Sequence, residues 1–176
     1  MAAVTKSMIN PSAAATLQIT LPLKRFMLIE QCPPQWHALD LYLFREADVV
    51  FYVGQSALAF ERVWEHLRRG FRGGSLVGRF ILCNWPTSLS YDIELISSHA
   101  EQFATMGYQR LAAEGYLIQR FAPCFNEALN KQPTPLPQRY ALPNAKLRCS
   151  RNLNQLIREA DRAVQADERR LWLKEG

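Results

Sequence analysis

The sequence predicts a small α/β (α+β) domain in which helices flank a mainly antiparallel three-stranded sheet. Two apolar runs, LDLYLF at 39–44 and VVFYV at 49–53, are separated by a short loop and predict a β-hairpin. A third strand is predicted at 91–96, because YDIELI alternates apolar and polar side chains. Apolar residues at helical spacing between and after these runs predict the flanking helices.

Composition bounds the class of protein. The 176 residues fit one compact domain with tails, and 48% apolar residues are enough to build a core. The net charge of +5 and the pI of about 9.2 favour a polyanionic partner, although composition alone supports this only weakly. No apolar run has the length of a membrane helix, and the first residues do not resemble a secretory signal. The four cysteines lie far apart, which predicts free thiols, no zinc site and a cytoplasmic location.

The chain divides into a predicted domain and flanking segments. The domain spans 17–130 and follows a small, polar tail at 1–16 that we expect to be mobile. Four prolines predict a stiff, extended strap at 131–150. The last segment, 151–176, carries one apolar stripe at helical spacing, which predicts an amphipathic helix that packs on the domain or joins a homodimer. This stripe contains Leu153, Leu156, Ile157, Ala160 and Val164.

Three further helices are predicted within the domain. Ser56 is a candidate N-cap for the first of them, which runs to about Arg69 and ends at a glycine cluster. A short second helix is predicted at 75–84. The third spans about 108–121 and ends before Pro123.

Glu114 is the first candidate for a chemical role. Helical spacing places it in the middle of an apolar stripe, where a carboxylate costs several kcal/mol unless it is paired or binds a metal. The simpler alternative places Glu114 at the edge of the stripe, paired with an arginine. The stripe consists of Leu111, Leu117, Ile118 and Phe121.

Two tyrosines of the hairpin form a second candidate feature. If the loop is 46–48, Arg45 faces Val49, and counting back along both strands places Tyr42 opposite Tyr52. Two neighbouring phenols can orient a water or a phosphate. The alternative is ordinary aromatic packing across the sheet.

Arg62 and His66 lie four residues apart on the first helix and are therefore neighbours. A guanidinium beside an imidazole is suited to clamping a phosphate. The alternative is a solvated helix face, because both residues lie away from the apolar stripe of that helix.

In chain order, these features resemble the GIY-YIG nuclease family over about 38–130. DLY at 40–42 stands at the family's first tripeptide, and YVG at 52–54 stands at its second. Asp40 replaces the usual glycine, which bears on the backbone approach at that strand end. The remaining matches are Arg62, His66, Glu114 and Asn126.

The resemblance implies a metal-dependent endonuclease that hydrolyses DNA phosphodiester bonds. Glu114 would bind one divalent ion, Mg²⁺ or Mn²⁺, and Arg62 would bind the phosphate oxygens. Tyr42 would orient or deprotonate the attacking water, assisted by Tyr52 and His66. The sequence leaves open whether Tyr42 or His66 takes the proton.

The resemblance also implies supporting residues. Gly54 would give backbone clearance between strand and helix, and Asn126 would fix a loop or hydrogen-bond the site from behind. The candidate DNA contacts are equally consistent with a solvated basic surface, and Ser56 is more simply an N-cap. These candidates are Gln55, Ser56, Arg68, Arg69, Arg72 and Arg79.

Two other functions compete with a nuclease. A nuclease-like module without catalysis would only bind nucleic acid, but it needs no isolated acidic residue facing DNA. A structural protein would use the strap and the C-terminal helix as a dimer clasp, which leaves Glu114 unexplained.

Overall fold

The computed structural model describes residues 16–143 and 151–175, and within them a four-stranded antiparallel sheet is flanked by helices. Most of the predicted N-terminal tail and the end of the predicted strap lie outside the described residues. The strands are β1 (Gln18–Pro22), β2 (Leu41–Glu46), β3 (Val49–Gln55) and β4 (Asp92–Ile96). The helices are α1 (Leu23–Phe26), α2 (Ala59–Phe71), α3 (Leu76–Cys83), α4 (Arg110–Phe121) and α5 (Leu153–Glu175).

The prediction of three strands was wrong by one. The strand order is β1-β4-β2-β3, so β1 is an edge strand that pairs only with β4. Pro22 occupies the last position of this edge strand. An edge strand tolerates proline there, because the missing N–H is not needed by a second neighbour.

The hairpin is tighter and less regular than predicted. Glu46 pairs with Val49, so the loop has two residues rather than three, and Ala47 adopts a positive φ of 48°. A β-bulge follows, because Phe44 pairs with Tyr52 while the next ladder pair joins Arg45 to Val50. One residue of β3, Phe51, is therefore extra in the ladder.

The two faces of the sheet pack against different layers. One face is rich in aromatic side chains and packs against α1, α2, α3 and α5. The other face is aliphatic and packs against α4 and the preceding 3-10 helix at Glu101–Met106. Helices α2 and α3 approach most closely at two glycines, since a Cβ on Gly70 would lie 2.3 Å from the Gly78 Cα.

Helix α2 begins at Ala59, two residues later than predicted. Ser56 is not its N-cap, because the Ser56 hydroxyl accepts a hydrogen bond from the Leu58 N–H at 3.4 Å and leaves the helix terminus uncapped by a side chain. The short helix predicted at 75–84 is confirmed as α3, and Ser75 caps it.

The C-terminal helix is present as predicted and packs on α1 within the same chain. Its buried residues are Leu156, Ala160 and Val164, while Trp172 near its end is 79% exposed. A homodimer through this helix stays a prediction. Within the described residues, no helix combines the length and apolarity needed to cross a membrane.

Candidate active site

The β-bulge brings Tyr42 and Tyr52 to one face of the sheet. Tyr42 pairs with Gly54, not with Tyr52 as predicted. With a two-residue turn and a regular ladder, Tyr42 would oppose Val53, and Tyr52 would point to the opposite face. The extra Phe51 reverses this, so the two phenol rings lie with their centroids 6.2 Å apart.

Gly54 makes room for the Tyr42 ring. A Cβ built on Gly54 would lie 2.3 Å from both Cζ and the hydroxyl oxygen of Tyr42. The clearance that Gly54 provides is therefore for a side chain of the site, and not between strand and helix as predicted. No other residue type leaves the phenol in this position.

His66 connects the tyrosines to helix α3. Its Nε2 lies 2.8 Å from the Tyr42 hydroxyl and its Nδ1 lies 2.9 Å from the Ser75 hydroxyl. The Tyr52 ring packs against the same imidazole at 5.5 Å between centroids. Burial, aided by the positive charge of Arg62, lowers the pKa of His66 to about 4, so the ring is neutral at pH 7. The alternative of a solvated helix face is excluded for His66.

Arg62 lies at the open side of the site. Its guanidinium donates to the Glu65 carboxylate at 2.6 Å, and its side chain is 41% exposed. The Arg62 Nε is buried and has no hydrogen-bond partner among the described residues. The exposed part of the guanidinium, rather than the buried Nε, is available to bind an anion.

The two phenols hold their protons tightly in this environment. Burial and the neighbouring Tyr52 raise the pKa of Tyr42, while hydrogen bonding and charge from Arg62 oppose this rise. Burial likewise raises the pKa of Tyr52, with a further contribution from Glu114. Deprotonating either phenol therefore requires additional positive charge nearby.

Glu114 lies at the edge of the apolar face of α4, not at its centre. The buried residues of this helix are Ala113, Leu117 and Ile118, while Leu111, predicted to be in the stripe, is 68% exposed. The face of α4 that contacts the sheet is not the predicted one, because α4 packs on β3 through Ala113 rather than Leu111.

The surroundings of Glu114 are unusual for a surface carboxylate. It is half-buried, and within residues 16–143 and 151–175 no lysine or arginine forms an ion pair with it. Burial raises its pKa, and Arg110 only partly offsets this. The charge of Glu114 in turn raises the pKa of both Tyr42 and Tyr52, so the carboxylate lies close enough to act on both phenols.

A metal at this position would depend on one protein carboxylate. The described residues contain no cluster of three or more His, Cys, Asp or Glu side chains suited to a metal. Mg²⁺ is commonly bound by one or two carboxylates and several waters, so a half-buried Glu114 without a cationic partner fits that ion. It does not fit zinc, which takes three or four protein ligands.

Asn126 fixes the open edge of β3 beside the site. Its amide oxygen accepts from the Val53 N–H at 2.9 Å, and its amide nitrogen donates to the Val53 carbonyl at 2.8 Å. Val53 lies between Tyr52 and Gly54, and Asn126 is only 8% exposed. Asn126 thus holds the strand segment that presents the second tyrosine.

The candidate DNA contacts divide into two groups. Arg69 lies on the same face of α2 as Arg62, and its charge helps to lower the pKa of His66. Arg68 lies on the other side, stacked over Trp64 at 5.5 Å, beside the groove between α2 and α5. Arg79 donates to the Gly73 carbonyl at 2.6 Å and is partly buried. The outward-facing candidates Gln55, Ser56 and Arg72 are partly or fully exposed.

Sequence reasoning missed Ser75 as a member of this cluster. The sequence does signal Ser75 as an N-cap, because it follows two glycines and precedes an apolar helical run, but this signal does not place Ser75 beside His66. It also missed the role of Asp40, whose carboxylate accepts from the Ser98 N–H and hydroxyl, each at 2.7 Å. Asp40 therefore ties the start of β2 to the end of β4.

Because the pKa of His66 is lowered, we expect the folding stability of the protein to fall in acid, and we expect His66→Gln to remove this loss. An unfolded histidine titrates near 6.5, so the unfolded state binds more protons between pH 6.5 and about 4, and stability is lost as the pH falls through that window. We expect wild type to lose on the order of 3 kcal/mol more than His66→Gln over this range. Urea denaturation at a series of pH values measures the difference. His37→Gln, at an exposed histidine, is the matched control and should retain the wild-type acid response; equal responses of wild type and His66→Gln would contradict the prediction.

No protein-family model, no curated protein and no solved structure matches this chain. The case for a function therefore depends on the arrangement of these side chains. Residues from β2, β3, α2 and α3 meet around the Tyr42 hydroxyl, and α4 adds an acidic charge beside them.

Proposed function

We propose that this protein is a metal-dependent endonuclease that hydrolyses DNA phosphodiester bonds through a GIY-YIG-type site. One observation carries the proposal. Tyr42, Tyr52, His66 and Arg62 converge on one face of a bulged hairpin, and the charge of Glu114, which forms no ion pair among the described residues, raises the pKa of both phenols. These residues come from distant parts of the chain, and ordinary packing does not require a phenol, an imidazole and a guanidinium to meet.

Each side chain has a role that its surroundings support. Arg62 binds the non-bridging phosphate oxygens, because its side chain is 41% exposed and its guanidinium carries more N–H donors than Glu65 occupies. Glu65 holds the guanidinium until a phosphate replaces it. Tyr42 orients the attacking water, and Tyr52 and His66 position the Tyr42 hydroxyl.

Glu114 would hold Mg²⁺ or Mn²⁺. A bound divalent ion would stabilise the leaving oxygen and would replace the negative charge that now faces the phenols by a net positive one. The raised pKa of Glu114 and the absence of an ion pair among the described residues support this role, since Arg110 only partly offsets the burial of the carboxylate.

A nucleic-acid-binding module without catalysis is the second candidate. Its supporting observation is the burial of Tyr42, which is 2% exposed, so that a phosphate meets Arg62 before it meets the phenol. This candidate does not explain why the site contains the acidic residue Glu114, because an unpaired carboxylate beside the site weakens the binding of an anion.

Nicking of supercoiled plasmid separates the two candidates. Purified protein with Mg²⁺ is incubated with plasmid, and the conversion to open circles is followed with and without EDTA. The endonuclease predicts nicking that EDTA abolishes and added Mg²⁺ restores. Binding in a gel-shift assay without nicking, in either Mg²⁺ or Mn²⁺, would favour the module and contradict the proposal.

The basic residues of α2 predict a contrast in DNA affinity. Arg69 lies on the face of Arg62, whereas Arg68 stacks on Trp64 toward α5. We expect Arg69→Ala to weaken binding and to reduce the slope of log affinity against log salt by about one. Arg68→Ala changes the net charge equally and should leave the slope near the wild-type value. Fluorescence anisotropy over a salt series measures both, and equal slopes for the two variants would contradict the assignment.

A further inference from the structure

Ser75 links the backbone of α3 to the tyrosine of the site. It is 7% exposed, and its hydroxyl lies 2.9 Å from His66 Nδ1 and accepts from the Gly78 N–H at 3.1 Å. On the other side of the imidazole, Nε2 lies 2.8 Å from the Tyr42 hydroxyl. The first turn of α3, Ser75, His66 and Tyr42 thus form one continuous chain of hydrogen bonds.

Close helix packing fixes this chain in place. A Cβ on Gly78 would lie 2.2 Å from the carbonyl oxygen of His66 and 2.6 Å from the Gly70 Cα. The N-terminus of α3 therefore sits directly on the turn of α2 that carries His66. Ser75 cannot move away from the imidazole without breaking this contact.

The donors and acceptors along the chain determine where its protons lie. A serine hydroxyl offers one O–H and two lone pairs. If His66 carried its proton on Nδ1, Ser75 would accept from both His66 and Gly78, and its own O–H would have no acceptor among the described residues. A buried donor left unpaired costs about 1–3 kcal/mol. If Ser75 donates to Nδ1 instead, Ser75 and both imidazole nitrogens are paired, and the Tyr42 O–H is free to donate to the neighbouring Tyr52 oxygen.

We propose that Ser75 is a positioning residue that holds His66 in its Nε2–H tautomer and so makes His66 a hydrogen-bond donor to the Tyr42 oxygen. The role in catalysis rests on the proposed function. It also answers which group takes the proton from water. In this tautomer His66 has no lone pair facing Tyr42, so His66 is not the base.

Tyr42 is then the group that accepts the proton. The phenol first loses its proton to solvent, a step that needs the added positive charge that a divalent ion held by Glu114 would supply, and the phenolate oxygen then accepts the N–H of His66. As the water oxygen forms the new P–O bond, its proton passes to Tyr42. The electron pair of the broken P–O bond goes to the leaving oxygen, which solvent protonates. The neutral ring implied by the lowered pKa of His66 is the form that this step needs.

Nitrogen NMR of histidine tests the tautomer without reference to DNA cleavage. The chain has three histidines, and His66→Gln assigns the His66 signals in protein labelled with ¹⁵N-histidine. We expect wild-type His66 to show a protonated Nε2 and an unprotonated Nδ1 at pH 7. Ser75→Ala should lose this preference and give averaged shifts. A protonated Nδ1 in wild type would overturn the proposal.

Cleavage provides the second readout. We expect Ser75→Ala to lower the single-turnover rate about ten- to a hundred-fold, the range seen when a group that orients a catalytic side chain is removed. Ser75→Thr retains the hydroxyl and should rescue both the rate and the tautomer. Ser75→Gly also removes the hydroxyl, but glycine is well tolerated at an N-cap. A slow Ser75→Gly variant would therefore not be slow merely because α3 has lost its cap.

The outcomes separate this inference from the proposed function. Wild-type cleavage that Ser75→Ala and Ser75→Gly leave unchanged would overturn the role of Ser75. A wild type that cleaves no DNA would overturn the nuclease and the catalytic part of the inference, whereas the NMR result would still decide whether Ser75 sets the tautomer.

Discussion

Replacing Gly54 by alanine is expected to disable the site and to lower stability. The added Cβ would lie 2.3 Å from Cζ and the hydroxyl oxygen of Tyr42, a distance that real contacts do not reach. The phenol must therefore move, and its 2.8 Å contact with His66 is lost. Overpacking of this kind costs about 1–3 kcal/mol, and a displacement of about 1 Å costs about a hundred-fold in rate.

Thermal unfolding and single-turnover cleavage of the Gly54→Ala protein measure the two effects. Gly115→Ala is the matched control, because its Cβ would meet the nearest atom, of Leu129, at an ordinary 3.7 Å. Gly115 lies inside α4, so that substitution should raise stability by roughly 0.5–1 kcal/mol. Wild-type stability and cleavage in Gly54→Ala would show that Tyr42 does not have the position described.

Replacing Glu114 by glutamine is expected to abolish cleavage and to leave folding intact. Loss of the ion's transition-state stabilisation, worth several kcal/mol, lowers the rate by more than about a hundred-fold. The effect on stability has the opposite sign. Burial raises the folded-state pKa of Glu114, so the folded state loses stability as the pH rises through that pKa. Glutamine removes this penalty, so a small stabilisation should appear at neutral pH and vanish in acid.

Metal binding gives a measurement of Glu114 that does not depend on activity. Mg²⁺ that binds the folded state raises the unfolding temperature of wild type by mass action. Glu114→Gln should lose this response. Glu168→Gln removes the same charge at an exposed position of α5 and should keep it. A magnesium response that survives in Glu114→Gln would place the metal elsewhere.

Much of the fold follows from local patterns in the sequence. The alternation of 91–96 and the stripe of α2 identify β4 and that helix, because one face of each is buried along its whole length. The strand β1 was missed, since only its pairing to β4 distinguishes a short, mixed segment from a loop. The apolar face of α4 was misplaced, because two adjacent faces of that helix carry leucines and only the packing on β3 selects between them.

The geometry of the candidate site could be predicted from the sequence only in part. Tyr42 and Tyr52 share a face as predicted, but for a reason that the sequence does not contain. A three-residue loop without a bulge would place both tyrosines on that face, as predicted. The structure reaches the same arrangement with a two-residue turn and a bulge at Phe51. The contact between Ser75 and His66 was also inaccessible, because it depends on how α3 crosses α2 at Gly70 and Gly78.

Nicking by wild type and by Glu114→Gln is the decisive comparison for the proposal that the site around Tyr42 and Glu114 hydrolyses DNA. Wild type and Glu114→Gln are purified side by side, and the initial rate of plasmid nicking is measured in Mg²⁺, together with DNA affinity in the absence of metal. We expect nicking by wild type, no nicking by Glu114→Gln, and DNA binding by Glu114→Gln that is at least as tight as that of wild type, because an acidic charge is removed and basic groups supply most of the binding. Equal nicking by both proteins, or none by either, would contradict the proposal.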